Sequence, residues 1–157
     1  MASPPPLLEL DGPADYRKHY ERNYCRAEIY TADGVRVYFK PQKFGHAFYD
    51  NSQRRKGPKD EFSPERAQRM DWIRATLESP DARLYQGWNK KVRCFEEDRR
   101  VSVVYENFVV VIEFSLNKHG NLKANFVTCY AADNSIGRIR QSPLWDKELC
   151  LSKLQKN

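Results

Sequence analysis

Three strand-forming segments separated by short polar breaks occupy the middle of the chain, over residues 101–130. They read VSVVY, FVVVIEFSL and LKANFVTCY, with EN and NKHGN between them. Branched and aromatic side chains of this kind favour β-strands, and short polar breaks between such runs are typical of antiparallel hairpins. The pattern therefore predicts an antiparallel meander around which the rest of the chain must pack.

The lengths of the two breaks predict the register of the meander. A loop over Asn117–Asn121 pairs Leu116 with Leu122, and a turn at Glu106–Asn107 brings the first two strands together. Because side chains alternate across a strand, one face then carries an apolar set that needs a cover. That set is Val101, Val103, Tyr105, Phe108, Val110, Ile112, Phe114, Leu122, Ala124 and Phe126. In this register Thr128 and Tyr130 continue the covered face, and Glu113 lies on the other, mixed face.

Segments on both sides of the meander carry helix and hairpin signals. Pro13 begins a helix that runs to about Tyr24, and Ser63-Pro64-Glu65 begins a second helix that runs to about residue 79. Asp33-Gly34 between two alternating apolar runs predicts a β-hairpin. Short helices are expected over residues 134–141 and from about 146 to 154.

A length of 157 residues suggests one domain. We therefore predict an α+β fold, with an antiparallel sheet of about four or more strands and helices packed on one face. This single domain is expected to span residues 13–157, after a flexible Pro-rich leader over residues 1–12.

Composition excludes several classes of protein. No run of about 18 apolar residues could cross a membrane, so no membrane partner is expected. The four cysteines form no CxxC pair and the three histidines lie far apart, which indicates reduced thiols in a cytoplasmic protein and no structural metal. The chain also lacks GxGxxG, P-loop, HExxH and GxSxG motifs and a carboxylate cluster, so neither a cofactor nor a catalytic metal is expected.

The formal net charge of +6 favours a polyanionic partner, and RNA is the leading candidate. RNA carries its own nucleophile, the 2′-hydroxyl group. Its cleavage requires only a base, an acid and groups that stabilise a charged transition state. The candidate catalytic residues are His46, Arg66, Thr128 and Tyr130. The candidate substrate-binding residues are Lys43, Arg54, Arg55, Arg138, Arg140 and Ser142.

The order of several short motifs resembles the phage and prophage branch of the barnase/EndoU/colicin/RelE-like ribonucleases. Gly45-His46 precedes the ERAQRMDWIRATLESP helix, and the sheet ends in FVTCY before SPLW, so the resemblance covers about residues 36–145. It implies helices packed on a four-stranded antiparallel sheet, cleavage of tRNA or mRNA without metal, and a role as a toxin or phage effector with a protein inhibitor or antitoxin as partner. By the family pattern, the catalytic histidine, the helix arginine and the polar end of the last strand match four residues: His46, Arg66, Thr128 and Tyr130.

The chain departs from this pattern in two places. The loop over residues 49–62 is long, and no acidic base is evident, although Glu113 could serve. The alternative is a non-catalytic basic module that binds nucleic acid or a protein. In that case His46 is an ordinary loop histidine, and Arg66 extends from an apolar stripe to solvent.

Overall fold

The computed structural model describes residues 4–50 and 61–156, and its centre is a six-stranded sheet with the order β1-β2-β10-β9-β8-β5. Neighbouring strands are antiparallel except β2 and β10, which run parallel. Two small sheets pair β3 with β4 and β6 with β7. The strands are β1 (Ile29–Tyr30), β2 (Arg36–Tyr38), β3 (Tyr49–Asp50), β4 (Glu61–Phe62), β5 (Arg83–Tyr85), β6 (Gly87–Asn89), β7 (Cys94–Glu96), β8 (Val101–Tyr105), β9 (Phe108–Leu116) and β10 (Leu122–Ala131).

Six α-helices and one π-helical turn, Glu21–Cys25, accompany these strands in the described part of the chain. The helices are α1 (Pro13–Tyr20), α2 (Lys43–Ala47), α3 (Pro64–Gln68), α4 (Met70–Glu78), α5 (Ile136–Arg140) and α6 (Lys147–Gln155). The predicted second helix is divided at Arg69, which ends α3 and precedes α4. The α+β class predicted from the sequence is confirmed.

The predicted register of the meander is confirmed over most of its length. Leu116 pairs with Leu122 across the β9–β10 loop, and Tyr105 pairs with Phe108 across the β8–β9 turn. Glu106 accommodates that tight turn by adopting a left-handed φ of 54°. The Asp33-Gly34 hairpin also forms and joins β1 to β2, with Gly34 at φ 88°.

The register changes near the end of β10, and there the prediction is wrong. Phe126 pairs with Ile112 as expected, but Thr128 pairs with Val111 because Val127 forms a β-bulge. An extra residue in one strand reverses the faces of all residues beyond it. Thr128 and Tyr130 therefore lie on the second face of the sheet, and Cys129 and Ala131 take their predicted places on the first face.

The first face of the sheet carries the main hydrophobic core. Side chains from α1, α2, α3, α4 and α6 cover it, including the tyrosine stripe Tyr16, Tyr20 and Tyr24. All three tyrosines are at most 3% exposed. Helix α4 contributes Met70, Ile73 and Leu77, as the helical periodicity predicts.

A smaller cluster lies on the second face around Val109, Val111 and Val127. Helix α5 covers it with Ile136 and Ile139, so this helix lies on the face opposite the other five. The second face becomes polar and open toward β2, where Tyr38 is 41% exposed. A sheet covered on one face and partly open on the other is common for antiparallel strands.

The described part of the predicted leader contacts the helices. The Trp72 indole nitrogen donates to the Pro5 carbonyl (2.6 Å), and the Leu8 amide donates to the Gln68 carbonyl (2.7 Å). The flexibility of residues 1–12 stays a prediction. Among the described helices, none has the length and apolar character needed to span a membrane.

Candidate functional site

A cleft of about 170 Å³ lies where helix α3 approaches the end of the β9–β10 pair. Helix α3 and the residue after it contribute Glu65, Arg66 and Arg69, and the strands contribute Phe108, Tyr130 and Ala131. Asp50 and Ser63 complete the lining. Two of the predicted catalytic residues, Arg66 and Tyr130, thus line one cavity.

Local hydrogen bonds fix the position of Arg66. The Ser63 hydroxyl accepts from the Arg66 amide (3.4 Å) and so caps the start of α3. The guanidinium group donates through Nη1 to the Ala47 carbonyl (3.4 Å), and its Nη2 lies 3.2 Å from the Asp50 carboxylate. Its side chain is 27% exposed, so Arg66 is held at the cleft and still reaches solvent.

The pairing of β3 with β4 brings Asp50 to the cleft. Asp50 pairs with Glu61, two residues before the cap of α3, so its carboxylate meets the first turn of that helix. The Asp50 side chain is 51% exposed, and its Oδ1 atom contacts Arg66. A carboxylate and a guanidinium thus lie side by side at the mouth of the cleft.

Tyr130 reaches the cleft from the far end of β10, just beyond the bulge. Burial raises the pKa of its hydroxyl, while the positive charges of Arg100 and Arg66 act in the opposite direction. The hydroxyl therefore stays protonated at neutral pH, and it can donate a hydrogen bond to an anionic ligand.

Thr128 and Cys129 precede Tyr130 and lie deeper in the sheet. Thr128 is only 9% exposed on the second face, and it does not line the cleft. Cys129 is fully buried in the main core, and burial raises its pKa to about 12, despite an opposing effect of Arg66. Its thiol is therefore protonated and inaccessible, which excludes it as a nucleophile at neutral pH.

His46 lies in the last turn of α2 and is half-buried. It directly precedes Ala47, whose carbonyl accepts from Arg66, and α2 packs against β10. The backbone next to His46 therefore contacts the Arg66 guanidinium. The imidazole is not among the described groups that line the cleft.

The predicted substrate-binding residues do not form one group. Lys43 begins α2, whereas Arg138 and Arg140 are exposed on α5 and Ser142 follows that helix. The Arg140 guanidinium donates to the Glu106 carbonyl (2.7 Å). Arg54 and Arg55 lie outside the described residues.

Four charged residues near the cleft were absent from the predicted site: Asp50, Glu65, Arg69 and Arg100. Arg69 follows Arg66 by three residues, so helical spacing could have associated the two. Asp50 depends on a strand pairing across a long connection, for which the sequence has no local signal. Glu113, the carboxylate suggested as a base, pairs with Asn125 on the second face and does not line the cleft.

The cleft can hold an anion between two guanidinium groups and a tyrosine hydroxyl, with a carboxylate beside them. Residues 4–50 and 61–156 contain no group of three or more histidine, cysteine or acidic side chains placed to hold a metal ion. Comparisons of the chain with protein-family models, with curated proteins and with solved structures found no match.

Proposed function

We propose that this protein is a metal-independent endoribonuclease and that RNA is cleaved at the cleft of Arg66 and Tyr130. One observation carries the proposal: Arg66, its carboxylate partner Asp50 and Tyr130 line the same cavity. The net charge of +6 supports a polyanionic substrate.

In the proposed reaction the ribose 2′-oxygen attacks the adjacent phosphorus, and Asp50 accepts the 2′-hydroxyl proton. Arg66 and Arg69 stabilise the charge that develops on the phosphoryl oxygens, and Tyr130 donates a hydrogen bond to one of them. The bond from phosphorus to the 5′-oxygen then breaks, and the leaving oxygen takes a proton from a water molecule, because His46 does not line the cleft. The products are a 2′,3′-cyclic phosphate end and a 5′-hydroxyl end.

Cleavage of mixed tRNA in EDTA tests the proposal. Loss of Arg66 in Arg66→Ala removes the transition-state cation, and Asp50→Asn removes the base, so each should lower the rate by roughly 10² or more. Arg74→Ala is the matched control, because this arginine pairs with Glu78 on the exposed side of α4 and should leave the rate unchanged. Thermal melting of each variant verifies that its fold is intact.

Two results would overturn the nuclease proposal. One is an intact tRNA pool after incubation in EDTA, and the other is a rate in both cleft variants equal to that of the unmodified protein. Product ends other than 2′,3′-cyclic phosphate would contradict attack by the 2′-hydroxyl group.

A non-catalytic module that binds nucleic acid is the second candidate, and two observations favour it. Arg66 already has a carboxylate partner 3.2 Å away, and Thr128 lies buried on the second face rather than in the cleft. Such a module would bind RNA with a strong dependence on salt and would produce no cleavage. Turnover in EDTA excludes it.

A further inference from the structure

A second surface of the protein combines exposed aromatic rings with positive charge. It is the two-stranded β6–β7 ribbon, which includes its connecting turn, residues 90–93. Trp88 and Phe95 pair directly across the ribbon, with ring centroids 5.0 Å apart at 67°. Trp88 is 48% exposed, and Phe95 is 37% exposed. The ribbon thus presents two large rings to solvent on one face.

Cations surround these rings. The connecting turn carries Lys90, Lys91 and Arg93, all exposed, and Arg99 and Arg100 follow the ribbon. A cavity of about 410 Å³ runs beside Trp88 and is lined by four of these five cations. The carboxylates of Glu96 and Asp98 lie nearby and share the cation of Lys153 (3.2 and 2.8 Å), so the five cations still outnumber them.

The base of the ribbon is firmly held. A Cβ atom at Gly87 would lie 2.1 Å from the Arg99 carbonyl oxygen, so the two backbones are in close contact and only glycine fits. Lys153 bonds both Glu96 and Asp98, and the Trp145 indole donates to the Glu97 carbonyl (2.7 Å). Because the backbone of the ribbon is already held in place, Trp88 and Phe95 should lose little conformational entropy when a ligand binds.

We propose that the β6–β7 ribbon is a docking site for single-stranded RNA. Unpaired bases would stack on Trp88 and Phe95, while their phosphates meet the cations of the turn. An edge-to-face ring pair leaves at least one face of each ring available for stacking. The cations of the ribbon favour a polyanionic ligand. The exposed rings favour a single strand over a duplex, because only unpaired bases can stack on them.

This site is separate from the cleft and does not depend on cleavage there. Arg100 links the two regions, because it lines the cavity beside Trp88 and its charge also acts on the Tyr130 hydroxyl. Where the cleft also cleaves RNA, loss of the ribbon rings should raise KM for a long substrate and leave kcat unchanged.

Fluorescence anisotropy with the full chain tests the proposal. The probe is a fluorescein-labelled 12-nucleotide 2′-O-methyl oligouridine in EDTA, which cannot be cleaved because its 2′-oxygen carries no proton. The double variant Trp88→Ala, Phe95→Ala should bind about tenfold more weakly or worse. Tyr30→Ala is the matched control, because Tyr30 is 42% exposed but lies on β1 at the opposite edge of the sheet.

A duplex probe separates stacking from simple charge attraction. Duplex bases are already stacked on each other and cannot use the rings, whereas the duplex has the higher charge density. The protein should therefore bind the single strand more tightly than the duplex of the same length. Binding should also quench the fluorescence of Trp88, and the quenching should disappear in Trp88→Phe.

Equal affinity of the double variant and the unmodified protein would overturn the proposal and assign the rings to a protein partner. Tighter binding of the duplex would also overturn it. Where the double variant melts early, Trp88→Leu, Phe95→Leu retains an apolar cross-strand pair without aromatic faces, and it should show the same loss. If binding depends on the rings but no RNA is cleaved, the docking proposal holds and the nuclease proposal fails. If RNA is cleaved but binding does not depend on the rings, the nuclease proposal holds and the docking proposal fails.

Discussion

The two faces of the central sheet differ in how they are covered and in what they carry. The first face lies under five helices, and Ile112 and Phe126 at its centre are at most 1% exposed. Among residues 4–50 and 61–156, the short helix α5 covers the second face at one end, and this face opens toward Tyr38. The same strands therefore provide a sealed core on one side and an accessible polar surface on the other.

The bulge at Val127 is where this difference affects the candidate site. It moves Cys129 into the core and moves Tyr130 to the second face, next to the cleft. Bulges are common beside functional sites because they redirect a side chain without breaking the sheet. Most of the fold's stability should therefore reside on the first face. The residues of the cleft lie instead at the end of the β9–β10 pair, where the two faces meet.

The largest expected effect comes from truncation on the first face. Phe126 stacks on Phe39 at 4.9 Å between ring centroids and is 1% exposed, so Phe126→Ala should cost about 3–5 kcal/mol of unfolding free energy. Val127→Ala, one residue later on the second face, removes less apolar surface and should cost about 1.5 kcal/mol. Urea unfolding measures both values, and equal losses would contradict the assignment of the main core to the first face.

Local patterns predicted much of the fold. Alternation fixed the first-face residues from Val101 to Phe126, and helix-start signals located the starts of α1 and α3. The bulge gave no such signal, because Val127, Thr128 and Cys129 are each acceptable on either face of a strand. The parallel pairing of β2 with β10 depends on contacts between distant segments, which periodicity does not reveal.

The candidate site was predicted less completely, for a related reason. Arg66 was a candidate because a cation in the first turn of a helix opposes the helix dipole, which left two interpretations: extension to solvent or contact with an anion. Asp50 reaches Arg66 only through the pairing of β3 with β4. The sequence therefore indicated one half of the ion pair, and tertiary structure was needed for the other half.

The bulge itself can be tested by substitutions at adjacent positions. Cys129 is fully buried in the core, so Cys129→Ser introduces a hydroxyl without a partner and should cost about 1–3 kcal/mol. Thr128→Val, on the second face beside Val111, replaces a hydroxyl with a methyl group and should change stability by less than about 1 kcal/mol. In the regular register Cys129 would lie on the second face and Cys129→Ser would cost less than about 1 kcal/mol, so the size of this loss in urea unfolding decides between the two registers.

Alkaline pH should weaken the first face through the same thiol. The pKa of Cys129 is about 12 in the folded protein and near 9 ordinarily, so the unfolded chain releases this proton first. The contribution of Cys129 is thus fully present below pH 9 and is lost as pH rises from 9 to 12, with about 1.4 kcal/mol lost by pH 10. Urea unfolding at pH 8 and pH 10 should show a smaller decrease in Cys129→Ala, and an equal decrease would show that the thiol is not buried.

The smallest expected effect, and one that stabilises the protein, concerns the β8–β9 turn at the end of both faces. Glu106 has a φ of 54°, whereas a two-residue hairpin turn with a positive φ at its first central position normally has glycine there. Glu106→Gly relieves a conformational cost of about 1–2 kcal/mol and adds unfolded-chain entropy worth about 0.5–1 kcal/mol, so we expect a net gain of about 0.5 kcal/mol. The hydrogen bond from Arg140 is retained because it ends on the backbone carbonyl of residue 106.

Asn107→Gly is the control for this substitution. The φ of Asn107 is not left-handed and its side chain bonds Asp133 (2.6 Å), so this change should destabilise the protein. A loss of stability in Glu106→Gly would show that the turn does not hold the conformation that sets the register of both faces.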